Sequence, residues 1–228
     1  MNGLAASRLI SECLFAFGAL FAIINPYGLA FVFLDKTMSL SESERARVAL
    51  RVASYAFGVL LVSLFVGSQI LNFFGISIPA LRIAGGLVVA VSGWSMLHAP
   101  PPSHEGRATS TANFTTIRKM AFFPLTIPLT AGPGTIATAI AIGTNRHGPL
   151  DKFFSVTTVA WFVVALAVAA TIYHAYKRSS AMARLFGEEG TSVVTRLSAF
   201  LLLCVGVQII ITGVVEVARS IAASQTVA

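Results

Sequence analysis

Residues 127–135, IPLTAGPGT, decide how this chain is read. Pro128 and the run Gly132-Pro133-Gly134 crowd helix-breaking residues into a stretch otherwise apolar enough to lie inside a membrane. Proline removes a backbone donor and crowds the preceding turn, and glycine admits dihedrals that other residues avoid. A lesser version, INPYG, stands at residues 24–28. One broken apolar helix is ordinary. One in each half of a short chain is a transporter-like pattern, because interrupted helices free backbone dipoles for binding at mid-membrane depth.

The composition supports a membrane reading. Of 228 residues, 56% are hydrophobic and only 11% charged, with a mean hydropathy of +0.81; soluble domains carry about 25% charged residues. A hydrocarbon core needs roughly 20 residues of helix per crossing. The apolar runs fit six spans, at 13–34, 52–71, 81–97, 120–143, 153–173 and 197–215. No room remains for a separate catalytic or nucleotide-binding domain. The runs are too long and too uniformly apolar for the strands of an outer-membrane barrel, which alternate over about ten residues. The apolar run around Pro26 also exceeds the core of a cleaved signal peptide.

The formal charge of +7 forms no stripe or tail, which speaks against nucleic acid as a partner. Its distribution is informative instead. Eleven of the sixteen Lys and Arg residues lie in or beside the first, third and fifth connectors, among them Lys36, Arg45, Arg118 and Arg184. That bias places the odd connectors in the cytoplasm and both termini in the periplasm of a bacterial inner-membrane, multi-pass protein. Cys13 and Cys204 sit in apolar stretches and read as small buried hydrophobes.

Within a single transmembrane domain, residues 1–228, a polar linker at 98–119 separates two halves, 1–97 and 120–228. Each half starts with a broken span. Each third span follows a Phe-Gly pair and an arginine: Phe74-Gly75 before Arg82, and Phe186-Gly187 before Arg196. Three spans per half require opposite insertion, so the expected fold is an all-α polytopic protein of two inverted three-helix repeats with broken first and fourth helices. Ser41-x-x-Glu44 reads as a capping box, and residues 179–186 as a short surface helix.

The candidate binding residues follow from the breaks. Pro26 and Pro133 each leave a carbonyl, near Ala22 or Leu129, without its usual donor, and such a group must face protein, water or ligand. Asn25, Pro26 and Gly28 form the first candidate set. Thr126, Thr130, Gly132, Pro133, Gly134 and Thr135 form the second, with hydroxyls and a half-helix start whose N–H groups suit a carboxylate. The complementary helix end suits an ammonium, so a zwitterionic amino acid uses both. The plainer alternative is that the prolines and glycines only kink helices for packing. Gln208, isolated among apolar neighbours, either reaches the central site or hydrogen-bonds between helices.

Arg82 and Arg196 read as snorkelling residues, and Glu12 and Glu216 as helix-end carboxylates or arginine partners. Asp35 is placed to cap or gate. The four histidines are scattered without metal-ligand spacing, and no Gly-Lys-Ser/Thr phosphate loop is present. Nothing in the sequence calls for an enzyme or a cofactor.

These motifs resemble the MarC family of bacterial integral membrane proteins, also grouped as neutral amino acid transporters. The resemblance rests on Asn25-Pro26-x-Gly28, on FGISIP at 74–79 followed by LRIAGG at 81–86, on Pro128 with GPGTI at 132–136, and on Arg196 through Gly206-Val207-Gln208. It implies six inner-membrane helices and movement of small neutral amino acids such as alanine, with Asn25, Pro26, Gly28, Gly132, Pro133 and Gly134 as signature positions. Tyr27 departs from the small or aliphatic residue usual there and is expected to narrow or decorate the cavity. The resulting expectation is a secondary transporter exporting a small neutral amino acid or related metabolite by alternating access. Its partners are the lipid bilayer and that solute; a coupling proton or sodium ion and an oligomeric state are left unassigned. A non-transporting envelope-stress protein and a broad drug-efflux protein are the alternatives.

Overall fold

The computed structural model describes residues 2–98, 121–144 and 156–225. Its elements are all helical. The first half holds α1 (Asn2–Ile24), α2 (Pro26–Lys36), α3 (Glu42–Phe65), α4 (Gly67–Phe73) and α5 (Ile78–Leu97). The second holds α6 (Ala121–Thr130), α7 (Pro133–Thr144), α8 (Val156–Lys177) and α9 (Ser179–Gln225). The linker expected at 98–119, apart from His98, and the connector at 145–152 lie outside the described residues.

Five stretches are long and apolar enough to cross a membrane: Ile10–Lys36, Glu42–Phe65, Ile78–Leu97, Thr158–Lys177 and Ser192–Ala222. They overlap five of the expected spans, although the second starts at Glu42 and ends at Phe65 rather than running over 52–71, so the protein is an all-α, multi-spanning membrane fold. The region of the remaining span holds α6 and α7 in succession. α7 alone has twelve residues, about 18 Å of helix, which is short of the hydrocarbon core.

Local chemistry explains where the helices begin. Ser41 caps α3: its hydroxyl accepts from the Glu44 N–H at 3.3 Å while the Glu44 carboxylate accepts from the Ser41 N–H at 2.9 Å. Ser77 caps α5, with Pro79 in its first turn. Both Phe-Gly pairs turn the chain through left-handed glycines, Gly75 at φ 65° and Gly187 at φ 70°. Gly187 thus divides residues 179–186 from the long span that follows in α9.

α5 packs along α9, α3 packs on α8, α7 lies against both α3 and α5, and α2 against both α8 and α9. The α5–α9 contact is made by backbone. A Cβ added to Gly86 would sit 2.7 Å from the Gly206 carbonyl oxygen, and one added to Gly206 would sit 2.4 Å from the Ala90 nitrogen. Small residues at such crossings let dispersion act over the whole helix length. Arg82 of α5 also forms an ion pair with Glu216 of α9, so it has a partner within the fold beyond the snorkelling expected. The cysteines correct their expectation in part: Cys204 is exposed, whereas Cys13 is partly covered and packs against the core.

Candidate functional site

The first break is a single residue. Asn25 is left-handed (φ 45°, ψ 60°), a conformation asparagine tolerates better than most residues. Its N–H still donates to the Phe21 carbonyl at 2.8 Å, and its own carbonyl accepts from Leu29 at 2.9 Å. Its side-chain oxygen accepts from the Gly28 N–H at 3.3 Å, and Pro26 occupies the first turn, where no donor is needed. Gly28 is required by this cap, since a Cβ there would fall 2.4 Å from Asn25 Nδ2. Tyr27 is exposed and packs its ring near Phe21, so it does not narrow the cavity described below.

The second break extends over α6 and the start of α7. Two tetrapeptides repeat there, FPLT at 123–126 and IPLT at 127–130. Phe123 (φ −129°, ψ 124°) and Ile127 (φ −115°, ψ 124°) are both extended, because each precedes a proline whose ring disfavours helical geometry. The winding widens to compensate. Thr126 Oγ1 donates to the Ala121 carbonyl and Thr130 Oγ1 to the Leu125 carbonyl, both at 2.6 Å, and the Ala131 N–H donates to the Thr126 carbonyl at 2.8 Å. All three bonds span five residues, the spacing of a π-helical turn. Thr130 has spent its only proton on Leu125, so the buried Tyr176 hydroxyl, 2.7 Å away, donates to it. The Tyr176 ring in turn stacks on Phe33 of α2 at 4.5 Å.

α7 then starts afresh at Pro133, and its first backbone bond runs from Ile136 N–H to the Gly132 carbonyl at 3.0 Å. The N–H groups of Gly134 and Thr135 precede that bond and have no backbone partner among the described residues. The Thr135 side chain is 3% exposed, and its hydroxyl makes no hydrogen bond among the described residues. α5 presses directly on this start: a Cβ on Gly85 would lie 2.9 Å from the Pro133 carbonyl carbon.

Beside it lies a cavity of about 160 Å³. Ile23, just before the first break, and Leu129, Gly132 and Thr135 at the second form part of its wall, with Val88 and Val89 opposite on α5. Ser92 also lines it, but its hydroxyl donates to the Val88 carbonyl at 2.7 Å. Lys36 of α2 and Met96 of α5 mark its far end. A larger hollow of about 550 Å³, lined by residues such as Tyr55, Val62, Ile70 and Ile136, lies between α3, α4 and α7 and has no charged residue in its wall.

Of the residues singled out in the sequence, Gly132 and Thr135 reach the cavity. Pro133 and Gly134 fix the helix start, Gly134 fitting so closely that a Cβ would meet Ile209 at 2.8 Å. Asn25, Pro26 and Gly28 build the neighbouring turn. Thr126 and Thr130 are buried with their hydroxyls committed to backbone. Gln208 is exposed on α9. Lys36 was missed, although Val32 and Lys36, four residues apart on one helical face, both line the cavity.

Apolar helices of membrane-crossing length, two of them interrupted, define the chain as a polytopic α-helical membrane protein. More narrowly, it belongs to the MarC family: the family of MarC integral membrane proteins matches residues 10–218. The inner membrane protein MarC of Salmonella typhimurium is 39% identical over 207 residues, covering 88% of this chain and 93% of the relative. The Citrobacter koseri protein of that name is 38% identical over 206 residues with the same coverage. That of Escherichia coli O1:K1 is 36% identical over 211 residues. No solved structure matches the chain. The chain is therefore a multi-pass protein of the inner membrane and, in keeping with its family, not an enzyme.

Proposed function

We propose that this protein is a secondary transporter that exports a small neutral amino acid or related metabolite by alternating access between two inverted halves. The observation that carries this reading is the cavity at the second break, where the Thr135 hydroxyl and the first α7 N–H groups have no partner among the described residues, beside an apolar wall. A substrate carboxylate fits the Gly134 and Thr135 N–H groups and the Thr135 hydroxyl, at the positive end of α7. Its ammonium fits the Leu129 carbonyl, to which Pro133 has no N–H to offer. A short side chain then rests on Val88 and Val89.

Size narrows the cargo. At about 160 Å³, the cavity at the second break falls below the roughly 300–1,000 Å³ of drug-sized pockets, which favours an alanine-sized solute there; the 550 Å³ hollow has no charged residue in its wall among the described residues. The helix contacts support the repeat. Exchanging α1–α2 with α6–α7, α3 with α8, and α5 with α9 turns the α3–α7 contact into α8–α2 and the α5–α7 contact into α9–α2, all of them present. The α5–α9 and α3–α8 contacts map onto themselves. In this reading α6 and α7 together make the fourth of six spans, and both termini are periplasmic.

The cavity reaches Lys36 and Met96, the ends of α2 and α5 on the side the charge bias assigns to the cytoplasm. At the opposite ends, the Arg82–Glu216 pair and the Gly213 contact hold α5 against α9. That is an inward-facing arrangement. No acidic residue lines the cavity among the described residues, which leaves proton, sodium or exchange as the source of drive.

The test is flux of labelled alanine and serine into proteoliposomes under imposed proton, sodium and counter-substrate gradients. Gradient-dependent uptake that is lost in Thr135→Val, with the variant still monodisperse, is the expected result. Absence of flux across a broad amino acid panel by intact wild-type protein would leave the non-transporting alternative.

A further inference from the structure

Lys36 is the one charged side chain in the cavity wall among the described residues. Its ion pair with Asp35, the preceding residue, is long at 3.9 Å, and its side chain is more than half exposed. The backbone that carries it is firmly held. Thr37 Oγ1 donates to the Phe33 carbonyl at 2.6 Å and accepts from Arg45 Nε at 3.2 Å. The same guanidinium donates to the carbonyls of Thr37 at 3.0 Å and Leu40 at 3.1 Å, and to the Ser180 hydroxyl of α9. Arg45 is buried outside the cavity wall, and its bonds to the Thr37 and Leu40 carbonyls fix a second positive charge beside the backbone that carries Lys36.

We propose that Lys36, backed by the buried Arg45, is the charge-selecting residue at the cavity mouth. It receives the carboxylate of an incoming zwitterionic or anionic solute and turns away cations of the same size. The inference rests on the transporter reading and deepens it, since it specifies which charge class enters. The carboxylate meets Lys36 first and the start of α7 last, so Lys36 governs capture rather than the final bound pose. Lys36 at the opening and the buried Arg45 behind its backbone place two positive charges at this end of an apolar cavity, offset on the solvent side by the long Asp35 pair. A lysine in the last turn of α2 also complements the helix dipole, but that role would not discriminate between solutes.

The experiment is competition against labelled alanine on the purified full chain in detergent, with alanine, alaninamide and propionate as competitors. Alaninamide keeps the ammonium and the methyl group but lacks the carboxylate. Wild-type protein should prefer alanine to alaninamide by at least about tenfold, the scale of a screened charge contact, with propionate competing measurably. Lys36→Glu should shrink or invert that ratio, Lys36→Gln should weaken alanine chiefly through KM in flux, and Lys36→Arg should behave as wild type. Equal competition by alanine and alaninamide on the wild type overturns the inference without any variant. So does a ratio unchanged in Lys36→Glu. Alanine flux that persists in either case leaves the transporter reading standing, whereas no binding or flux of any probe by the wild type sinks both.

Discussion

The two breaks begin from similar residues and end in different physical states. The first concentrates its irregularity in Asn25, whose side chain caps the following helix and whose backbone remains bonded on both sides. The second spreads over two Xaa-Pro-Leu-Thr units, repairs its walls with threonine hydroxyls, and leaves its last polar groups without a partner among the described residues beside a cavity. Both breaks leave backbone groups without a partner among the described residues, the Tyr27 N–H at the first and the Gly134 and Thr135 N–H groups at the second, but only the second sets residues of the break itself, Gly132 and Thr135, in the cavity wall. On the proposed function, the first break is a rigid bend that shapes the cavity, and the second is where solute binds.

That contrast can be broken experimentally, most severely at the contact between α5 and the second break. Gly85→Val would drive a branched side chain into the Pro133–Gly134 peptide, and the expected outcome is loss of both monodispersity and alanine binding, read by gel filtration and competition. Thr135→Val preserves shape and removes one hydroxyl facing a charged ligand. Such a bond is worth about 1.5–3 kcal/mol, so alanine affinity should fall by roughly ten- to a hundredfold with the melting temperature little changed. Unaltered affinity in that variant would remove Thr135 from the site.

At the first break the signs should reverse. Asn25→Ala deletes a helix cap worth about 0.5–2 kcal/mol, which should lower thermal stability in detergent while the remaining folded protein binds alanine nearly normally. Gly28→Ala should do the same by pushing the Asn25 carboxamide out of its place. A large affinity loss in folded Asn25→Ala would make the first break a ligand site after all. The smallest effect is expected from Tyr176→Phe, which removes a buried hydroxyl donor to Thr130 at about 1 kcal/mol. Thermal melting with alanine titration would register it, mainly as stability.

Much of the architecture was legible because proline, glycine and capping residues act locally. The breaks, the Ser41–Glu44 box and the two turning glycines at 75 and 187 could be placed from side-chain chemistry alone. The facing of the spans could not. In a helix apolar all round, lipid and protein interior make the same demand, so no periodicity reveals that Gln208 and Cys204 turn outward. The Arg82–Glu216 pair joins residues far apart in sequence, and only packing brings them together. The threonines at 126 and 130 look identical to Thr135 as residue types. What separates them is an acceptor carbonyl five residues back, which exists only because the prolines widened the winding.

Amide hydrogen exchange of the purified protein with and without saturating alanine tests the central claim most directly. Binding at the second break predicts that alanine slows exchange at Gly134 and Thr135, whose N–H groups have no backbone partner among the described residues, and leaves Tyr27 and Gly28 unchanged. Protection at residues 27–28 without any at 134–135 would contradict it.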